Sequence, residues 1–289
     1  MASHQNGDRL EKSQSNYSGE NLSRQMTISV SPEQYERLFF QPSPARGDLS
    51  KRLGNPTLLG LFGFLIPFQT TMFCLMGWSG ADAASTVAVS GAFYFLGGIA
   101  MNLAGICEFI LGNTFPMAVF IIYGSHWCQA AFSTDPAHNL VGVYGKEGAL
   151  SMTYNSGAAF YNVSMCLVSF CFFLGSLRTN IPFAIAIFGL IPLFGLIAAA
   201  NFHIGFHPTA AGVAHAGYLI QVAGGFGFVT ALMGWYLAII TACASTGVPC
   251  PLPIFDLSTK IAPESKAAAD ERAGAGGSAV ARAAHGSHA

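Results

Sequence analysis

Charge is scarce in this sequence. Of 289 residues, 9% are Asp, Glu, Lys or Arg, against about 25% in a typical soluble domain. The scarcity is also local. Between Asn55 and Phe255 only six charged residues occur: Asp82, Glu108, Asp135, Lys146, Glu147 and Arg178. The other 21 lie in the two ends of the chain. So few charges cannot clothe a water-facing surface of that size, and the solvent around this stretch is lipid. There is no basic stripe and no nucleic-acid motif, and a net charge of −1 gives no reason to expect a polyanionic partner. A nucleophile with an adjacent base, a metal-ligand set and a cofactor motif are missing as well, which argues against an enzyme and against any cofactor. The seven cysteines, Cys74, Cys107, Cys128, Cys166, Cys171, Cys243 and Cys250, form no C-x-x-C pair. Their odd number and mostly intramembrane placement predict small buried hydrophobes, not disulfides or a zinc site.

What fills the chain instead is apolar: 52% of residues are hydrophobic. A membrane helix needs about 20 such residues. Six stretches qualify, near 57–77, 86–111, 115–133, 152–175, 181–200 and 212–243. The reading is an all-α polytopic membrane protein, a six-transmembrane-helix bundle spanning 54–245. Residues 1–53 are rich in Ser, Asn, Gln and mixed charge, with no cleavable signal peptide, and read as a disordered tail. Within them, Tyr35, Leu38, Phe39 and Phe40 suit a short helix on the membrane surface. Residues 246–289, rich in Ala, Gly and His, read as a second, mostly disordered tail.

Orientation follows the basic residues. Arg46, Lys51 and Arg52 precede the first span, Arg178 lies between the fourth and fifth, and Lys260 and Lys266 follow the sixth. Six spans put all of these on one side and leave Lys146 on the other, so both termini are expected in the cytoplasm. The Asn-x-Ser sequons at Asn16 and Asn21 would then stay unglycosylated. Glycine is abundant, 33 in all. Gly97, Gly98, Gly105, Gly224, Gly225 and Gly227 predict close backbone packing between helices.

Three spans open alike: Asn55-Pro56, then Asn113-Thr114-Phe115-Pro116, then Asn180-Ile181-Pro182. Asn is a strong helix cap, and Pro is tolerated in the first turn. All three starts fall on the cytoplasmic side. A helix start carries partial positive charge and free N–H groups, so three together in a cation-poor protein suit an anion. Plain helix initiation explains them equally.

The stretch Asn55-Pro56-Thr57-Leu58-Leu59-Gly60-Leu61 resembles the Asn-Pro-Ala-Pro-Leu-Gly-Leu signature of the acetate uptake transporter family, which includes bacterial succinate–acetate permeases and fungal acetate permeases. Gly97-Gly98-Ile99-Ala100 through Gly105 and Glu108, then Gly112-Asn113-Thr114-Phe115, Tyr123-Gly124-Ser125, Gly175-Ser176-Leu177-Arg178 and Asn201-Phe202 follow in family order over about 54–243. The resemblance implies a six-helix protomer with its own pore, a homohexamer in the lipid bilayer, and passage of acetate and similar short-chain monocarboxylates, often with protons. It also implies a pore narrowed by a Phe, a Tyr and a Leu, which here are Phe64, Tyr123 and Leu190.

Spacing allows a check on that trio. Phe64 lies nine residues after Asn55, Tyr123 ten after Asn113, and Leu190 ten after Asn180. Each then sits about 14–15 Å from its helix start, about half of a 30 Å hydrocarbon core. An apolar ring with one hydroxyl suits a short acid, although ordinary packing accounts for Phe64 and Leu190 equally well from the residues alone. The chain departs from the family pattern at Thr57, Leu58, Met101, Pro116 and His126, and lacks the basic residues usual after Glu108.

The remaining polar residues divide as follows. Asn55, Pro56, Asn113 and Thr114 are the candidates for anion or substrate binding. Glu108 and His126 are the candidates for proton linkage; Glu108 serves equally well as a hydrogen-bond partner for a neighbouring helix start, and a packed neutral ring is the commoner role for a histidine such as His126. His203, His207 and His215 cluster near the outer loop and suit a pH-sensitive mouth better than a metal site. Thr70, Thr71 and Asn102 face the pore or a neighbouring helix. Short-chain monocarboxylate transport in the plasma membrane is the expected function. Ammonium or ammonia movement and a non-transporting sensor on the same fold are the alternatives.

Overall fold

A computed structural model describes residues 53–258 and Lys260. The proposed surface helix at Tyr35–Phe40, the two sequons and most of both tails lie outside the described residues. Within them, apolar runs form six long helical rods: α1 (Thr57–Leu75), α2 (Ala83–Ile110), α3 (Thr114–Thr134), α4 (Met152–Ser176), α5 (Ile181–Phe206) and α6 (Ala210–Thr246). Five of the six are long and apolar enough to cross a membrane; α3 is outside that set. Ser125, His126, Gln129 and Ser133 dilute its apolar content. Among the described residues there is no strand, only one isolated bridge, between Asn180 and Asp256.

The rods form a closed ring in chain order. α1 packs on α2 and on α6, α2 on α3, α4 on α5, and α5 on α6. The α3–α4 seam is joined by long side chains: Phe115 meets Phe172 edge-on, Tyr123 bonds to Ser169, and His126 bonds to Tyr161. Large apolar residues line the outer surface, Phe95, Ile99, Leu103, Ile106 and Phe109 on α2 and Phe160, Leu167, Phe170 and Leu174 on α4. A water-facing protein would not sustain such patches. This is an integral membrane protein.

Glycine sets the closest approaches, as expected. A Cβ on Gly97 would lie 2.4 Å from Cγ of Trp127, and one on Gly105 would lie 2.5 Å from Ile121 and 3.2 Å from the Met117 carbonyl. On α6, Gly227 and Gly234 receive Met72 and Leu65 of α1. Gly225 meets nothing within 4 Å, so it has no part in this packing.

α2 is not uniform. It opens as a 3₁₀ segment (Ala83–Val89) capped by Asp82, whose carboxylate accepts from the Ser85 N–H, and winds as a π-helix over Phe93–Ala100 before finishing as α-helix. The π segment contains the Gly97-Gly98 pair that packs on α3.

Residues 247–258 do not leave the bundle. Gly247 ends α6 with positive φ, the one backbone form there that favours glycine. The chain then folds back as a strap. The Pro253 carbonyl accepts from Tyr236 Oη (2.6 Å), the Phe255 carbonyl from the Ile181 N–H (3.1 Å), and the Thr179 carbonyl from the Leu257 N–H (2.9 Å). Composition assigns this segment to the disordered tail. Grouping it with the Ala-, Gly- and His-rich residues that follow misleads there, because Leu252 and Ile254 pack on the apolar core.

The glycine contacts give a stability prediction. Gly105→Ala, forced against Ile121 and a carbonyl, is expected to lose about 1–3 kcal/mol. Gly225→Ala, with open space and better helix propensity, is expected to hold or gain up to about 1 kcal/mol. Thermal unfolding of the two purified variants in detergent checks the contrast.

Candidate functional site

One carboxylate organises the end of the bundle where α1, α3 and α5 begin. Glu108, near the end of α2, is 1% exposed. Its Oε1 accepts from Thr57 Oγ1 at 2.6 Å, and its Oε2 accepts from Asn113 Nδ2 at 2.6 Å. The Glu108 carbonyl also accepts from the Asn113 N–H at 2.9 Å. Thr57 is the first residue of α1, and Asn113 directly precedes α3. The acceptor at these two helix starts is therefore the protein's own carboxyl group. Hydrogen bonds to a carboxylate are shorter and stronger than neutral ones, which is how this side chain is tolerated under lipid.

Two expectations change here. Asn113 does not cap α3 with its side chain; its amide is turned to Glu108 instead. Asn55 does act at the start of α1, with its Oδ1 accepting from the Thr57 N–H at 2.8 Å, but the residue in the cap position is Pro56. Thr114 opens α3 beside them. Asn180 caps α5 as expected, accepting from the Phe183 N–H at 2.8 Å, and is wholly buried beneath the strap.

Deeper in the bundle, Tyr123 and Leu190 belong to the buried apolar core, and Phe64 packs against it, stacked on Phe68 with centroids 4.4 Å apart. The Tyr123 hydroxyl donates to Ser169 Oγ (2.9 Å), and Ser169 donates in turn to the Met165 carbonyl (2.8 Å). The phenol is thus the polar point of an otherwise apolar neighbourhood, with Phe172 beside it at 5.7 Å. One turn on, His126 Nδ1 lies 2.8 Å from the Tyr161 hydroxyl. Its ring stacks on Tyr161 and meets Phe194 edge-on.

Other polar candidates are satisfied locally. Thr70 and Thr71 donate to the Ile66 and Pro67 carbonyls of their own helix, around the internal Pro67. Asn102 donates to the Gly98 carbonyl inside the π segment. His203 stands 4.8 Å from His207 and 4.6 Å from His215, centroid to centroid, at the opposite end of the bundle. Among the described residues no group of His, Cys, Asp or Glu is placed to hold a metal ion.

Sequence reasoning missed the parts played by Thr57, Ser169 and Tyr161. Thr57 was visible as a departure from the family signature, and its hydroxyl is what reaches Glu108. Ser169 and Tyr161 gave no signal, because their partners lie 46 and 35 residues away.

Comparison with known proteins agrees with this architecture. Residues 39–259 match the family model described as the GPR1/FUN34/yaaH family, a range that takes in the strap. The chain is 35% identical over 240 residues to Protein alcS of Aspergillus fumigatus, covering 80% of this chain and 86% of that protein. It is 26% identical to the acetate transporter protein patA of Penicillium expansum, covering 74% and 86% respectively. Among solved structures it resembles the bacterial acetate channel SatP, with a TM-score of 0.55 and 25% identity over 70% of this chain and 99% of that one.

The Glu108 network predicts coupling between sites far apart in sequence. A double-mutant cycle of Thr57→Val with Glu108→Gln is expected to give about 1.5–3 kcal/mol of interaction, the range for hydrogen bonds to charged groups. Unfolding of the four purified proteins in detergent measures it, and additive losses would show the contact to be idle.

Proposed function

The chain belongs to the GPR1/FUN34/yaaH family, and from that premise we propose that it is a membrane transporter or channel for acetate and similar short-chain monocarboxylates. The observation that carries the reading is the setting of Tyr123: one hydroxyl, bonded to Ser169 and beside Phe172, within the apolar core that also holds Leu190 and against which Phe64 packs. Aromatic and aliphatic walls accept the alkyl part of a short acid, and a phenol exchanges hydrogen bonds with its oxygens. The names of patA and of the SatP structure support the choice of acetate.

In this reading each protomer has six spans, α3 included, with both termini cytoplasmic. Thr57, Glu108, Arg178 and Lys260 then share the cytoplasmic end, and Lys146 lies outside. Phe64, Tyr123 and Leu190 form the narrowing. It is closed as it stands, since Tyr123 and Leu190 are almost fully buried. Asn55, Pro56, Asn113 and Thr114 shape the cytoplasmic mouth. With a carboxylate already at two of its helix starts, that mouth disfavours a resident anion and suits transit over storage. Proton linkage runs through His126, within reach of Tyr161 and one turn from Tyr123. Glu108, with both oxygens engaged, holds the helix starts. The apolar outer faces of α2 and α4 accommodate lipid and neighbouring copies in a plasma-membrane homohexamer.

Purified protein in liposomes is expected to carry labelled acetate above empty vesicles, faster with an inward proton gradient. Tyr123→Phe is expected to slow that flux about fivefold, the worth of one hydrogen bond. Leu190→Ala is expected to admit longer acids. Absence of acetate flux in intact, folded oligomers would sink the reading and leave ammonium movement, tested in the same vesicles, or sensing.

A further inference from the structure

Trp127 lies one turn beyond Tyr123 on the same face of α3, about 6 Å farther from the Glu108 end. It is 4% exposed. Its ring is wedged between helices: Phe93 of the π segment lies 4.9 Å away, Phe68 lies 6.4 Å away and edge-on, and the backbone of Gly97 is pressed against it. Phe68 is itself stacked on Phe64. Trp127 therefore adjoins two members of the narrowing, Phe64 through Phe68 and Tyr123 through the helix.

Its Nε1–H is buried and, with Arg178 Nε, is one of two buried side-chain polar atoms among the described residues that have no hydrogen-bond partner. The contrast within the protein is sharp. Trp235, the other intramembrane indole, donates to Gln69 Oε1. The buried hydroxyls of Thr57, Ser169, Thr230 and Thr241 all donate to an oxygen. A donor left unmet under lipid carries its full desolvation penalty, since no bulk water can relieve it. Phe at this position would pack without that penalty. The adjoining wall is the π segment, a helical form concentrated at functional positions, and a side chain on Gly97 there would collide with the indole.

We propose that the Trp127 Nε1–H is a substrate-binding group: it donates to a carboxyl oxygen at a station just beyond the narrowing, on the side away from Glu108. This rests on the transport reading above. An indole is a donor only, so the station fits a carboxylate or carboxylic acid and offers nothing to an ammonium ion. Transit then has two successive polar points on α3, the Tyr123 hydroxyl and the Trp127 N–H, with apolar walls around both.

The test compares wild type with Trp127→Phe in proteoliposomes over a range of acetate concentrations. The expected result is a concentration for half-maximal flux raised about tenfold, the value of one lost hydrogen bond, with maximal flux within about threefold and thermal stability equal or higher. Half-saturation within twofold of wild type would reduce Trp127 to core packing and overturn the proposal while the transport reading stands. No acetate flux in wild type would instead remove the transport reading. A second measurement is independent of flux. In ¹⁵N-labelled wild type, acetate titration is expected to move the Trp127 indole N–H resonance downfield, and sodium chloride at equal ionic strength is not. That resonance is assigned by its loss in Trp127→Phe or, should that variant fail to fold, by elimination with Trp78→Phe and Trp235→Phe. A resonance unmoved at saturating acetate overturns the proposal.

Discussion

The bundle depends on a carboxylate that has no business under lipid unless it is fully engaged. Glu108 receives a hydroxyl from the first residue of α1 and an amide from the residue before α3, and its own backbone carbonyl takes the Asn113 N–H. Three consecutive rods thus share one fixed point. Removing any donor would strand charge or polarity in a place without water. That makes the contact costly to break and sets the axial position of α1 against α3. Phe64 and Tyr123 sit nine and ten residues from Asn55 and Asn113, so the depth of each along its helix is counted from this contact.

α5 is anchored by different means toward the same end. Asn180 caps its first turn, and the strap from α6 gives the Ile181 N–H an acceptor in the Phe255 carbonyl. Leu190 is counted from that start. The interior of the ring then needs little polar chemistry. Most buried hydroxyls and amides there bond to a carbonyl of their own helix or of the helix beside it, leaving the Tyr123–Ser169 and His126–Tyr161 pairs to cross the α3–α4 seam. That seam is joined through side chains where the other neighbours pack backbone to backbone.

Most of the architecture was legible in the sequence, because lipid leaves a strong compositional signature. Sparse charge and long apolar runs gave the rods to within a few residues, and Asn180 with Pro182 announced a sharp start. What was hidden depended on pairing across the chain. Nothing local distinguishes an Asn that caps its own helix from one that turns to a carboxylate five residues back, so Asn113 was read as a cap. Thr70 and Thr71 read as facing the pore or a neighbouring helix, and their hydroxyls serve carbonyls of their own helix around Pro67. The strap looked disordered because Pro and Gly dominate its start, while its apolar residues are too few to register as a run. Trp127 gives no local signal, since a missing partner shows only when all neighbours are known.

The π winding of α2 has a consequence for how this protein can change over time. Five-residue hydrogen bonding over Phe93–Ala100 takes up more chain per turn than an α-helix does. Residues on either side of that segment are therefore rotated relative to a regular helical wheel. One residue gained or lost there would alter which side chains point inward along the whole flank, while the length crossing the lipid would scarcely change. Such an insertion or deletion is a small lesion by size and a large one by orientation. Two descendants differing by that single residue would carry almost the same sequence and present different walls to whatever passes through.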